Sequence, residues 1–216
     1  MDEAECSERE RKVTTAPTIR AYEERDLDVL YDVCVRTAAS GGDLSDSLGD
    51  VCLPGHLFAA PYCVRQPKLA LVAENGDGVG GYVVGAADTA AFERVLEVEW
   101  WPELRRRYQP GSGTTAADDR LIALLHQPEH QDADIVAEYP AHLHINLLPR
   151  LQGRGLGRQL IDGFCAGVRR RGATGIHLGV NPANRRARDF YVHLGFIELR
   201  ATRNAVILGR RLDRPS

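Results

Sequence analysis

Hydrophobic and polar positions change period several times along the chain, and each change marks an element. Residues 18–23 (TIRAYE) alternate weakly and predict a first strand. In RDLDVLYDVCVRT, Leu27, Leu30, Val33 and Cys34 fall on one helical stripe, with Asp26 placed to cap the start. A Gly- and Asp-rich loop over residues 40–47 leads into a stretch without clear period up to Pro67, where another short helix is the expectation. LALVAENGDGVGGYVVGAAD carries the clearest local signal: two apolar strands flank the hairpin turn Asn75-Gly76-Asp77-Gly78. Residues 90–108 read as helix, interrupted near Trp101-Pro102. QPGSGTTAADD is a connection, and Asp118 or Asp119 is placed to cap RLIALLHQ. Residues 88–140 are expected to form a helical insertion.

A denser unit follows. The pattern predicts a strand over 141–148, a helix over 154–171 and a strand over 175–180. NRRARDFYVHLG is a second helix closed by Gly195, and residues 196–200 and AVILGRRL are further strands. This alternation implies an α/β sheet with at least one parallel pair, in a single domain over 17–216. Residues 1–16 read as a charged, disordered leader.

Three glycines interrupt LLPRLQGRGLGRQLIDGF where the strand gives way to the helix. Leu156, Leu160, Ile161, Phe164 and Val168 form that helix's apolar face, with Arg158, Asp162 and Arg169 turned away. Arg169, Arg170 and Arg171 suit the C-terminal end of the dipole, and Gly172 a left-handed cap. Arg154 and Arg158 at the start oppose that dipole. A helix start with free N–H groups, positive side chains and no Cβ atoms suits an anion lying on the backbone. The dinucleotide pattern G-x-G-x-x-G fails, because Arg158 or Leu160 occupies its last position, and no Gly-Lys-Ser/Thr is present for a phosphate loop. What fits is Q-x-x-G-x-G, Gln152 to Gly157; the alternative is a glycine-rich turn that binds nothing.

Composition excludes several classes. The net charge of -3 gives no basic field of the kind a general nucleic-acid binder carries. Cys6, Cys34, Cys52, Cys63 and Cys165 are odd in number and scattered without a CxxC pair, so neither a zinc site nor a disulfide framework is indicated. Reduced thiols in a cytoplasmic protein are the expectation. The N-terminus lacks the apolar stretch of a signal peptide, and no run approaches a transmembrane span. Membrane association is therefore not expected.

LLPRLQGRGLGRQLIDGF followed by GIHLGVNPANRRARDFYVHLGFIEL resembles the cofactor half of the GNAT acetyltransferases, over about sixty residues. YPAHLHINLLPRLQGRGLGRQL and the Trp-containing insertion resemble, more narrowly, bacterial acetyltransferases related to the C-terminal domain of O-GlcNAcase. The narrower likeness implies shared architecture and no glycosidase activity. The resemblance implies a mixed, splayed β-sheet flanked by helices. It also implies that Gln152, Gly153, Arg154, Gly155, Leu156, Gly157 and Arg158 wrap the pyrophosphate of acetyl-CoA. Leu147 and Leu148 would pair their backbone with the pantetheine arm. Asn184 matches an asparagine near the cofactor, and Tyr191 a tyrosine beside the thioester sulfur.

The chemistry so implied is acetyl transfer to an amine by direct attack in a ternary complex, since no cysteine falls in the matching catalytic region to carry the acyl group. A backbone N–H near Leu147 or Leu148 serves the oxyanion, and Tyr191 is the candidate acid. From the residues alone, Ala187, Phe190, Tyr191 and Leu194 also form a core stripe. The base is open. Ala141 stands where some family members carry glutamate; His142 or His144 can accept a proton, and Glu138, Glu99 or water are further options. Two histidines at i, i+2 can also ligate metal, but no third ligand is evident and no metal is expected. Asn184 can instead cap its helix. Arg185, Arg186 and Arg188 either meet the 3′-phosphate or form a solvated face. Trp100 and Trp101 either line an acceptor pocket or hold the insertion to the core. The acceptor, a small molecule or a peptide amine, is not legible, nor is the oligomeric state. A CoA-binding module without catalysis, or a different acyl donor such as succinyl-CoA, stays open.

Overall fold

A computed structural model describes residues 16–212. Nearly all of the segment read as a leader, residues 1–15, lies outside them. Seven strands form one open sheet: β1 (Thr18–Ala21), β2 (Leu71–Asn75), β3 (Gly78–Ala86), β4 (Ala141–Leu147), β5 (Gly175–Val180), β6 (Ile197–Ala201) and β7 (Val206–Arg211), in the order β1-β2-β3-β4-β5-β7-β6. Every neighbouring pair is antiparallel except β4 and β5. The parallel pair registers only at Ala141↔Ile176 and His142↔His177, after which the two strands part. The expected splayed, mixed sheet is present.

The first three helices are α1 (Leu27–Val35), α2 (Leu53–Phe58) and α3 (Ala60–Arg65). Between β3 and β4 come α4 (Thr89–Glu99), α5 (Trp101–Arg107), α6 (Ala116–His126) and α7 (Ala133–Glu138), and later α8 (Leu156–Arg169) and α9 (Arg185–His193). The period-two alternation of the strands divides the core between the sheet's two faces. Tyr82, Val84 and Ala86 of β3 pack with Leu30, Val33, Leu53, Phe92 and Ile122 on one side. Val83, Leu143 and Ile176 pack with Leu156, Leu160, Ile161, Phe164 and Val168 on the other, the helical face read from the sequence. Burying side chains of this size contributes roughly 1.5–3 kcal/mol each.

Local chemistry differs from the expectations at several ends. Asp26 makes no cap bond to α1; a 3-10 turn over Glu24–Asp26 precedes the helix. The Asp26 carboxylate instead accepts the Glu23 N–H at 2.9 Å and pairs with Arg20 at 2.6 and 2.8 Å. Thr115, not Asp118 or Asp119, caps α6, its Oγ1 accepting the Asp118 N–H at 3.1 Å. Residues 53–65 hold two short helices where one was expected, each opened by a proline in its first turn (Pro54, Pro61). Helix α8 starts at Leu156 rather than at 154, because Gly155 takes φ +76 as its left-handed N-cap.

Candidate active site

The glycine loop ends in an uncapped helix start. No side chain caps α8, and the N–H groups of Leu156, Gly157 and Arg158 meet no acceptor among the described residues. Gly153 (φ +71) and Gly155 (φ +76) occupy left-handed backbone that only glycine adopts without strain. A Cβ at Gly153 would meet nothing within 4 Å, and one at Gly155 only the Gln159 side chain at 3.8 Å. The surface above both is open. Arg154 is exposed with no acidic partner among the described residues, and Arg158 reaches only the His193 carbonyl, at 3.5 Å. Free donors and the positive end of α8 therefore lie beside two open glycines, with Arg154 and Arg158 flanking them in the chain and paired with no carboxylate among the described residues.

Gly157 serves a different end. It is buried, and a Cβ there would stand 3.0 Å from Phe190 Cζ and 3.4 Å from Leu147 Cδ1. It lets α8 approach α9 and the end of β4. Gly157→Ala should destabilise the fold by about 1 kcal/mol through overpacking, read by urea unfolding.

The end of β4 presents an open edge. The Leu148 N–H donates to Gly80 O at 2.8 Å, so the backbone groups of Leu148, Asn146 and His144 turn toward β3. Those of Leu147 and Ile145 turn toward β5, from which β4 has already separated. The Leu147 carbonyl accepts Gln152 Nε2 at 2.7 Å, and Leu148 O accepts the Leu151 N–H at 2.9 Å. Gln152 thus braces the loop against the strand. Both backbone groups of Leu148 and the carbonyl of Leu147 are engaged within the protein, which leaves the Leu147 N–H on the open edge.

On the sheet face opposite α8, a cavity of about 320 Å³ opens where β4 and β5 part. Leu57, Phe58, Phe92, Leu96 and Trp101 give it apolar walls; Glu93, Glu129 and His130 lie toward one side, and His142, His144 and His177 line its floor. His130 Nδ1 pairs with Glu93 at 2.8 Å. The alternation of β4 carries His142 and His144 here, as expected. Tyr62, on α3, bridges them: its hydroxyl lies 3.0 Å from each Nε2. His142 Nδ1 meets Thr89 Oγ1 at 2.8 Å, and His177 Nδ1 donates to Tyr139 O at 2.7 Å. Burial, then His177, pushes the His144 imidazole down to about 4. Burial, His144 and His177 hold His142 well below the ordinary histidine range. Both rings are neutral at neutral pH. The other base candidates are elsewhere: Glu138 pairs with Arg211, and Glu99 with Arg65. Ala141 is fully buried. No group of three or more His, Cys, Asp or Glu side chains is placed to hold a metal ion among the described residues.

Tyr191 lies on the inner face of α9, its ring centroid 5.3 Å from Phe190 and 5.6 Å from Phe196. It belongs to the core and does not line the cavity. Its hydroxyl makes no hydrogen bond among the described residues, and burial raises it far above an ordinary phenol. It is protonated at neutral pH. Asn184 caps α9, Oδ1 accepting the Ala187 N–H at 3.0 Å, while Nδ2 donates to Ser40 O at 3.0 Å. Both ends of that amide serve the fold. Arg188 pairs with Glu198. Trp101 lines the cavity; Trp100 donates to His56 O at 3.0 Å, tying α4 and α5 to α2.

Tyr62, Thr89, Glu93 and His177 were missed in the sequence. Tyr62 stands 80 residues from His142, in a stretch without hydrophobic period. The one available signal was the pair His142 and His144 on a polar strand face, which requires partners.

Known proteins agree with this geometry. Residues 56–196 match the acetyltransferase (GNAT) family. Protein O-GlcNAcase of Rattus norvegicus is 24% identical over 208 residues, 90% of this chain and 22% of that protein, and the Mus musculus protein aligns over the same shares. The chain thus spans about a fifth of those relatives. The crystal structure of SsHAT superposes with a TM-score of 0.85 at 40% identity, covering 92% of this chain and 100% of that one. The yncA protein of Salmonella typhimurium, solved with its cofactor acetyl-CoA, shares the fold at a TM-score of 0.56 and 16% identity, over 94% and 97% of the two chains. With the family matched over residues 56–196, more than half of the chain, and SsHAT superposing at 40% identity, this chain belongs to the GNAT acetyltransferases.

Proposed function

We propose that the protein transfers an acetyl group from acetyl-CoA to the primary amine of a compact, largely apolar acceptor by direct attack. The observation that carries this is the succession of three features along β4 and the loop that follows it: the cavity where β4 and β5 part, the open edge of β4, and the uncapped start of α8. The pyrophosphate lies on the N–H groups at the start of α8, with Gly153 and Gly155 letting it reach the backbone and Arg154 and Arg158 adding charge. The pantetheine arm enters at Leu147 and follows the open edge. From Leu147 back to Leu143 is about 13 Å at ~3.3 Å per residue, which brings the thioester to the cavity floor. There the Ile145 N–H, on the same edge, is available to the carbonyl oxygen as it becomes negative.

The acceptor reading rests on the cavity. About 320 Å³ of space with aromatic and aliphatic walls suits a small molecule's apolar body. Leaving water for this site lowers the pKa of the amine, which favours the neutral, attacking form. The family resemblance makes Tyr191, protonated and on the helix beside Gly157, the acid for the departing sulfur. It packs on the α8 side of the sheet, so it would act across the gap where β4 and β5 part and not from the cavity. A thiolate already leaves well at a pKa near 8.5, so the help it needs is modest. Tyr191→Phe should lower kcat about tenfold and leave acetyl-CoA affinity unchanged; an unaltered kcat at saturating donor removes Tyr191 from the reaction.

The test is thiol release from acetyl-CoA in the presence of small primary amines such as 2-phenylethylamine. Ala141, where a carboxylate base is missing, favours a second reading, a CoA-binding module without turnover. Tight acetyl-CoA binding with no thiol release across amines of this class would favour it.

A further inference from the structure

The hydrogen bonds around His144 have only one consistent direction. Thr89 has a single hydroxyl proton, and Oγ1 lies 2.7 Å from the Pro140 carbonyl, which can only accept. Thr89 Oγ1 must therefore accept from His142 Nδ1 at 2.8 Å. With its proton on Nδ1, a neutral His142 presents a lone pair at Nε2, so the Tyr62 hydroxyl donates to it at 3.0 Å. The Tyr62 oxygen then accepts from His144 Nε2–H, also at 3.0 Å. His144 is left with a lone pair on Nδ1, and Nδ1 has no partner among the described residues. Nor is it one of the two sealed-off, unbonded side-chain atoms among those residues, His56 Nε2 and Arg65 Nε. Nδ1 is therefore accessible, on a residue that lines the cavity.

We propose that His144 Nδ1 is the base that takes the proton from the acceptor amine, and that Thr89, acting through His142 and Tyr62, fixes the tautomer that makes it one. This rests on the transferase reading above. As the amine nitrogen bonds to the thioester carbonyl carbon and the C–S bond breaks, one N–H proton passes to His144 Nδ1 and the sulfur leaves as thiolate, to be protonated. Amide and thiol are the products. The nitrogen is far more acidic once bonded to that carbon than as a free ammonium, so a weakly basic imidazole suffices. His144 is catalytic; Thr89, His142 and Tyr62 are positioning residues. The groups facing His144 are Tyr62 on α3, Glu93 on α4, His142 on β4, His177 on β5, and Glu129 and His130 on the loop after α6. His177 is its rival, but it is 2% exposed and sits where β4 and β5 are still paired.

The test joins a tautomer measurement to kinetics on the full chain. Nitrogen-15 NMR of the histidines should show His142 protonated at Nδ1 and His144 at Nε2. Thr89→Val should abolish that order and Thr89→Ser restore it, with kcat for 2-phenylethylamine falling and recovering in step. His144→Gln keeps a donor toward Tyr62 and removes the basic ring nitrogen. It should lower kcat about 10²-fold or more while calorimetry shows unchanged acetyl-CoA affinity. The wild-type acid limb should lie well below the ordinary histidine value, and His144→Gln should abolish it. A proton on His144 Nδ1, or a His144→Gln enzyme with wild-type kcat and pH profile, overturns the proposal. So does loss of turnover in His177→Gln alone. Failure of the wild-type chain to bind acetyl-CoA would instead strike the transferase reading, and the tautomers are read whether or not it binds.

Discussion

Gly155→Val should weaken acetyl-CoA binding by at least about 10²-fold, a loss of roughly 2.8 kcal/mol at 1.4 kcal/mol per tenfold. Two effects act together. Gly155 stands at φ +76, where a residue with a Cβ is strained by roughly 1–2 kcal/mol and a β-branched one more, so the N-cap turn shifts. The added methyl groups also enter the open surface above the first-turn N–H groups. An anion held off those groups forfeits charge-assisted hydrogen bonds of roughly 1.5–3 kcal/mol each. The protein should stay folded, because no neighbouring atom but the Gln159 side chain comes within 4 Å of the new Cβ. Calorimetric titration reads the affinity and urea unfolding the stability. A folded Gly155→Val protein with wild-type affinity contradicts the site.

Asp118→Ala should lower folding stability by roughly 3–5 kcal/mol. The carboxylate is 2% exposed and accepts from Gly49 N at 3.1 Å, Thr114 N at 3.1 Å, Thr115 N at 3.0 Å and Thr114 Oγ1 at 2.9 Å. Alanine leaves these part-buried donors without their shared acceptor. The bond to Gly49 spans 69 residues and ties the start of α6 to the loop before α2 and α3. Since α3 carries Tyr62, the loss should reach the cavity floor as well. Burial works to raise the Asp118 carboxyl, but Thr114 and the backbone donors outweigh it and hold it below the ordinary carboxylate range. The contribution is therefore complete above the unfolded value near 3.9 and disappears as pH falls through the lower folded value. Urea unfolding at pH 7 measures it; a loss under about 1 kcal/mol contradicts the assignment.

Local pattern revealed the elements whose physics is local. The hairpin at Asn75–Gly78, the apolar face of α8 and the Gly172 and Gly195 termini all follow from turn chemistry and a 3.6-residue period, and Gly172 and Gly195 take φ +88 and +80. Caps were read less well. Asp26 has the right side chain for a cap but is drawn off by Arg20, which only the fold supplies. Asp118 sits three residues inside the start, where it returns a bond to the Thr115 N–H and also holds Gly49 and Asp50. The site divides in the same way. A glycine loop is contiguous in sequence and so was legible. The cavity is assembled from α2, α3, α4, β4 and β5, and no local pattern predicts that Tyr62 will stand between two histidines of a distant strand. Leu148 shows the limit at a single residue, since which strand edge its N–H faces depends on the register of β3.

The most direct measurement is a crystal structure of the chain grown with acetyl-CoA. The account predicts the diphosphate against the N–H groups of Leu156, Gly157 and Arg158, the pantetheine arm along Leu147 and Ile145, and the acetyl group at the cavity beside His144. Saturating acetyl-CoA with no density at the start of α8, or density that leaves the open edge of β4 bare, would contradict it.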